Sequence, residues 1–331
     1  MSYLLEPLTT GKLPLKNRLV MPPMATSKAE PDGRVSEELL GYYDEKSRGG
    51  AIGLVIIEHN YITMQGKNRA GQPSVADDAM IEGLSRLADV IHRNGSKAAL
   101  QINHVGGTAS HEVTGLDAVS PSAVPSPNGS PDPTLRVLTA DELAAIPSQF
   151  AAAARRTKAA GFDGVELHSA HGYLLNQFFS PITNRRTDEY GGDVHGRIKL
   201  HLEVIAAVRE AVGEESPILL RLGAADYLEG GSRIEDSVIA AAEFERAGVD
   251  MLDISGGLSG FMRPNHTEPG YFAELTEAIK AVVSIPVILT GGVTEPEHAE
   301  ALLAAGKADL IGVGRAILKD SDWAQRAVRE A

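Results

Sequence analysis

Cysteine is absent from the 331 residues. That excludes disulfides, thiolate zinc sites, cysteine-ligated iron–sulfur clusters and a cysteine nucleophile. Long apolar runs are missing as well, because no stretch approaches the ~18 uncharged apolar residues of a membrane-spanning helix. The segment from Met1 to Thr10 carries Glu6 and has neither the basic region nor the apolar run of a secretory leader. Together these absences predict a cytoplasmic protein without a membrane partner. Positive charge is in deficit, 31 Lys plus Arg against 44 Asp plus Glu, and a formal charge of −13 argues against a nucleic-acid-binding surface.

Hydrophobic residues at 43% and charged residues at 23% sit close to globular averages, so the chain reads as folded rather than disordered, coiled or repetitive. Eight short runs rich in Val, Ile and Leu lie at 18–21, 53–57, 98–102, 164–167, 218–222, 251–254, 287–289 and 310–313. They alternate with amphipathic stretches of helical length. Parallel strands need crossovers and must hide both faces from water, so eight such units predict an α/β fold, a (β/α)8 TIM barrel forming one domain over residues 1–331.

The punctuation agrees. Helical stretches end at Gly95, Gly161, Gly248 and Gly306, where glycine can close a helix in the left-handed conformation. Thr139 and Glu142 have capping-box spacing, and Pro147 predicts a kink in the following helix or a later start. The stretch from Trp323 to Ala331 predicts a terminal helix on the barrel exterior. Three connections are long: 103–137, with Pro121, Pro125, Pro127, Pro131 and Pro133; 168–196; and 256–270. Each follows a strand, which places it on the C-terminal face where barrel active sites lie.

The candidate chemistry gathers at strand ends. Gly291 and Gly292 follow the seventh run, and Gly314 and Arg315 follow the eighth. Such glycines make tight turns or let backbone N–H groups approach a phosphate, and the arginine favours the phosphate. His168 and His171, with Tyr173 two residues on, follow the fourth run. Two imidazoles three residues apart can converge on one oxygen if the chain turns into a helix there. They could equally ligate a metal, but the end of the first run offers Pro22, Pro23 and Met24 rather than further ligands. Gln101 and His104 flank the third strand's end. Arg221 closes the fifth, where it meets either a carboxylate such as Asp226 or Glu166 or a bound anion. The polar run 184–192 reads as a hydrogen-bonded structural lid.

These residues in this order resemble the Old Yellow Enzyme family of FMN-dependent oxidoreductases over nearly the whole chain. The resemblance rests on Asn17 and Arg18, Pro22 to Ala25, Gln101 to His104, His168 to Tyr173, Arg221 and the two glycine loops. The run from Ser180 and Pro181 through Asn184 to Gly192 is its most specific part. It implies FMN across the barrel mouth and NADH or NADPH as reductant. Pro23, Met24 and Ala25 would contact the isoalloxazine, Gln101 and Arg221 its pyrimidine edge, and Gly291, Gly292, Gly314 and Arg315 the phosphate. His168 and His171 would hold the carbonyl or nitro oxygen of an electron-poor alkene, and Tyr173 would donate a proton to it.

Four positions depart from the family pattern. Ala25 stands where many relatives have cysteine or threonine. His59 stands where a small residue is usual, and either contacts the flavin edge or closes the pocket. Gly106 and Gly107 replace a sequence that carries an arginine in one branch. The alternatives are an NAD(P)H oxidase or diaphorase using oxygen, quinone or free flavin, a metal-dependent barrel hydrolase, and a flavin-binding protein with no catalysis of its own. A homo-oligomer is compatible with all of them.

Overall fold

The computed structural model describes residues 2–9, 11–127 and 132–330, so the predicted roles of Met1, Thr10, Pro131 and Ala331 lie outside the described residues. Eight parallel strands close into a barrel: β1 Leu19–Met21, β2 Leu54–Tyr61, β3 Lys97–Asn103, β4 Gly164–Ser169, β5 Ile218–Gly223, β6 Met251–Ser255, β7 Val287–Thr290 and β8 Leu310–Gly312. β8 pairs back onto β1 through Leu19 with Ile311 and Val20 with Gly312. The eight runs read from the sequence are these eight strands.

Side chains alternate across each strand with a period of two, and this builds the barrel interior in layers. Val20, Leu54, Ile56, Ala99, Leu219, Met251, Ile288 and Leu310 form an apolar cluster that also takes in Leu8, Leu13 and Leu15 from the N-terminal segment. That segment folds on itself through Leu8 and Leu15 and plugs one end. Two residues further along the strands come Gln101, Arg221, Asp253, Thr290 and Gly312. The same alternation that fills the floor with aliphatic carbon therefore lays a polar layer above it, at the C-terminal mouth.

Outside the barrel, helices cover the strands with a second, larger apolar cluster. Their ends are capped as the sequence predicts. Thr139 and Glu142 form a reciprocal capping box, and Gly95, Gly161, Gly248 and Gly306 all adopt positive φ. Pro147 neither interrupts nor delays its helix, which runs unbroken over Ala140–Ala159. Its missing donor removes one hydrogen bond to the preceding turn, while Leu143, Ile146 and Phe150 hold that face against the core. Trp323 opens the terminal helix, buries its ring and donates from Nε1 to Thr294 O at 2.6 Å.

Two local features were not visible in the pattern. β2 runs past Ile57 to Tyr61, with a register shift against β3 between Ile57 and Asn60. The polar Glu58, His59 and Asn60 ended the apolar run in the sequence although all three are buried. In the 103–137 connection, Val119–Ser120 and Arg136–Val137 pair as a short parallel ribbon. Buried Asp226 ties the mouth loops together, accepting from Ser180 Oγ at 2.6 Å, Ser232 N at 2.7 Å and Leu258 N at 2.7 Å.

Candidate active site

The mouth holds a cavity of about 1210 Å³. The site residues assigned from the sequence line it: Pro23, Met24 and Ala25 after β1, His59 on β2, Gln101 on β3, His168, His171 and Tyr173 around the end of β4, Arg221 on β5, Gly291 and Gly292 after β7, and Gly314 and Arg315 after β8. His104 does not belong to it. That ring is buried behind the wall, where its Nδ1 accepts from Gly106 N at 3.0 Å.

The imidazole wall is built by a reversal of the chain. After β4 the backbone turns through His171 at φ 59° and Gly172 at φ 76°, and the helix Leu174–Phe179 begins beyond Tyr173. A histidine in the left-handed region is uncommon, and here it swings the second ring beside the first, with centroids 5.2 Å apart. Tyr173 stacks edge-on to His168 at 4.9 Å. Burial holds both imidazoles well below their ordinary pKa, reinforced for His168 by His171 and for His171 by Arg221, so both rings are neutral near pH 7.

The hydrogen bonds set the donors. His168 Nδ1 accepts from Ala170 N at 3.2 Å, which puts the ring proton on Nε2. His171 Nε2 lies 2.7 Å from Ser255 Oγ. A serine hydroxyl can donate or accept there, and when it donates the proton of His171 is on Nδ1. Tyr173 is pushed upward by burial against the Arg69 guanidinium, and keeps its phenolic proton at neutral pH.

His59 sits at the β2 irregularity and forms part of this wall, 5.4 Å from Tyr173 and 6.1 Å from His168 between ring centroids. Its Nδ1 accepts from Gln72 Nε2 at 2.9 Å, with Asn103 Nδ2 at 3.3 Å. Burial and then Arg69 bring its pKa down to about 3, so it too is neutral.

The polar layer adjoins this wall, since the β4–β5 register sets Arg221 beside His168. Gln101 Nε2 donates to Glu166 Oε2 at 2.7 Å, which directs the amide oxygen of Gln101 away from the carboxylate. Arg221 meets a carboxylate, one of the two alternatives read from the sequence, but the partner is neither Asp226 nor Glu166. Its ion pair is with Asp253, Nε to Oδ2 at 3.3 Å, because the β5–β6 register sets those two residues side by side. The pair lacks hydrogen-bond geometry and both atoms are buried without a hydrogen-bond partner. Two buried carboxyls thus share one guanidinium. Burial, with Asp253 nearby, lifts the Glu166 carboxyl well above the ordinary range, and its Oε1 is buried and unpartnered.

The glycine corner admits backbone and nothing larger. A Cβ on Gly291 would lie 2.6 Å from the Tyr271 ring, and one on Gly292, at φ 71°, would lie 2.4 Å from Glu268 O. Arg315 reaches Tyr271 Oη at 3.4 Å and Met262 Sδ at 3.5 Å. Among the described residues it has no carboxylate partner. Sequence reasoning missed Arg69, Phe261, Met262, Tyr271 and Asp253. Asp253 lies inside a strand read from the sequence and meets Arg221 through register, while the other four reach the cavity only through the folded loops. Among the described residues no three His, Cys, Asp or Glu side chains gather as a metal-ligand set.

A bound flavin mononucleotide fits this donor set. An underused buried guanidinium and an amide oxygen suit the polar pyrimidine edge of an isoalloxazine, and a glycine corner beside a free arginine suits a phosphate. Fold and site together define a flavin-binding TIM-barrel oxidoreductase. The chain belongs to the NADH:flavin oxidoreductase / NADH oxidase family, whose model matches residues 3–330. FMN is that family's cofactor and a nicotinamide its reductant.

Among relatives, a protein named NADH oxidase from Thermoanaerobacter brockii is 44% identical over 323 residues, 96% of this chain and 49% of its own length. The chain thus spans about half of that relative. A protein named NADPH dehydrogenase from Clostridium acetobutylicum is 37% identical over 95% of this chain and 91% of its own. A solved old yellow enzyme homologue from Zymomonas mobilis is 29% identical and superposes with a TM-score of 0.87, covering 99% of this chain and 93% of that one. No helix among the described residues is long and apolar enough to cross a membrane.

Proposed function

We propose that the protein is an FMN-dependent, NAD(P)H-consuming reductase of alkenes conjugated to a carbonyl or nitro group. The observation that carries this reading is the pair of neutral imidazoles, 5.2 Å apart, beside a protonated Tyr173 on one wall of the cofactor cavity. FMN bound there supplies a two-electron carrier that accepts hydride from the nicotinamide and passes it to the alkene in alternation. The chain's own residues supply the rest.

His168, through Nε2–H, and His171, through Nδ1–H, hold the activating oxygen of the substrate. Neutral donors fixed by Ala170 and Ser255 stabilise the negative charge that develops on that oxygen without reorganising, which is oxyanion-hole catalysis. Because the rings are neutral, they donate hydrogen bonds without competing as acids. Tyr173 gives its phenolic proton to the α-carbon, a general-acid role worth about 10²–10⁴-fold.

Arg221 and Gln101 position the pyrimidine edge, and the guanidinium lowers the cost of negative charge there. Gly291, Gly292, Gly314 and Arg315 hold the phosphate. Pro23, Met24 and Ala25 support the ring, and Ala25 leaves that surface without a thiol or hydroxyl. His59 closes the wall behind Tyr173.

An NADH oxidase reading is favoured by the name of the 44% identical relative. Anaerobic mixing of NAD(P)H-reduced holoenzyme with 2-cyclohexenone and with nitroalkenes separates the two. Reoxidation by an activated alkene is the expected result, and Tyr173→Phe should slow protonation of the nitronate left by a nitroalkene. Reoxidation by oxygen or quinone alone supports the oxidase and overturns the reductase. In cells the reading places the protein in the cytoplasm, beside its reductant, which fractionation tests.

A further inference from the structure

Arg69 lines the cavity, and the function above assigns it no ligand. Its guanidinium lines the same space as Tyr173, and no carboxylate among the described residues lies within ion-pair distance of it. Glu58 is the buried acid whose charge it feels, but both Glu58 oxygens are engaged by Thr26, Oε1 at 2.6 Å and Oε2 at 2.9 Å.

The arginine is held in place from behind. Buried Gln72 accepts from Asn68 N at 2.6 Å and donates to His59 O at 3.1 Å, and Asn68 Oδ1 in turn accepts from Arg69 Nε at 3.1 Å. This network uses the Nε, and the guanidinium also hydrogen-bonds the Tyr173 hydroxyl, which holds it at the cavity wall. A guanidinium held in this way keeps N–H groups to offer an anion, and a half-buried guanidinium without a counter-ion is costly to maintain.

Glu112 and Asp132 also line the cavity, but among the described residues no ion pair joins either to Arg69. Arg221 is paired with Asp253 and faces the ring edge, and Arg315 stands at the glycine corner with the phosphate. The imidazoles of His59, His168 and His171 are neutral. The third guanidinium is therefore left for something that enters with the substrate, on the wall that donates the proton. Resting on the reductase reading above, we propose that Arg69 forms an anion subsite, and that the preferred substrates are activated alkenes carrying a carboxylate away from the activating carbonyl. The anion-binding chemistry would also suit a phosphate of the nicotinamide dinucleotide, but the position beside Tyr173 favours the alkene.

The test uses prereduced holoenzyme and pairs of enones that differ only in a free carboxylate against its methyl ester, two to four carbons from the alkene. For at least one placement the acid should reoxidise the enzyme about tenfold faster than the ester. Dissociation constants of the saturated acid and ester products, read from the flavin absorbance of the oxidised holoenzyme, should show the same ratio. In Arg69→Met both ratios should fall to about one, and Arg69→Lys should restore part of them.

Equal rates and affinities for acid and ester in the wild type, or ratios unmoved by Arg69→Met, would overturn the proposal. So would a defect confined to reduction by NADH or NADPH and absent with the mononucleotide NMNH, which would assign the arginine to the dinucleotide. If neither acid nor ester reoxidises the enzyme, the reductase reading fails and the subsite falls with it.

Discussion

The neutrality of the site imidazoles comes from burial, and the same physics acts on a histidine far from the cavity. His201 is buried against Phe244, bonded to Ser169 Oγ at 2.8 Å, and has its pKa brought down to about 3 by desolvation alone. A base with a depressed folded pKa contributes stability above its unfolded value of ~6.5 and loses it as pH falls toward the folded value. His201→Gln removes that titration. The stability gap between wild type and variant should therefore narrow in acid, by about 3 kcal/mol between pH 6.5 and 4, at about 1.4 kcal/mol per pH unit. Denaturant unfolding of both proteins at several pH values measures it, and a constant gap would mean that His201 protonates freely in the fold.

At this scale the sequence was informative where a residue type stood at a strand end. His168, His171, Tyr173, Arg221 and the paired glycines all reach the cavity as read. It was silent where a partner came from register or loop folding. Asp253 meets Arg221 only because β5 and β6 pair as they do, and Arg69 reaches Tyr173 only because Gln72 folds its loop.

Among the elements, the strands determine which side chains share a layer. β3 and β4 set Gln101 opposite Glu166, and β5 and β6 set Arg221 opposite Asp253. Because two buried carboxyls share one guanidinium, the raised Glu166 acts as a neutral clamp on Gln101. Glu166→Gln, neutral and nearly isosteric, should leave the FMN dissociation constant within about threefold, whereas Glu166→Leu should weaken it about tenfold by freeing the amide, losing roughly one hydrogen bond's worth of positioning. Fluorescence titration of apoprotein with FMN reads both. A larger loss in the glutamine variant than in the leucine variant would show that Glu166 works as an anion.

The loop after β7 offers a second element-scale test. Gly292→Ala would place a Cβ 2.4 Å from Glu268 O in a left-handed backbone, and backbone cannot yield as a flexible side chain can. A stability loss of about 1–3 kcal/mol is expected, with weaker FMN binding as the 256–270 loop shifts. Unchanged stability would mean that the loop relaxes freely. Strand order and helix caps were legible because they repeat. The β2 irregularity and the ribbon in 103–137 were not, since a buried polar triplet and two-residue strands leave no periodicity to read.

For the whole molecule, the N-terminal segment packs leucine into one end of the cylinder and leaves the other as the polar mouth that holds the site cavity. That asymmetry turns a strand pattern into a site. The barrel was legible because all eight units announce themselves, and the shape of the cavity was not, because three long loops set it. The most direct test of the account is a spectral titration of oxidised holoenzyme with a para-substituted phenol. If two neutral imidazoles face the cofactor ring, the wild type should develop a long-wavelength charge-transfer band as the phenolate is gripped, and His168→Ala with His171→Ala should lose at least about tenfold in affinity and most of the band. An equally strong band in the double variant would contradict the arrangement on which the assigned chemistry depends.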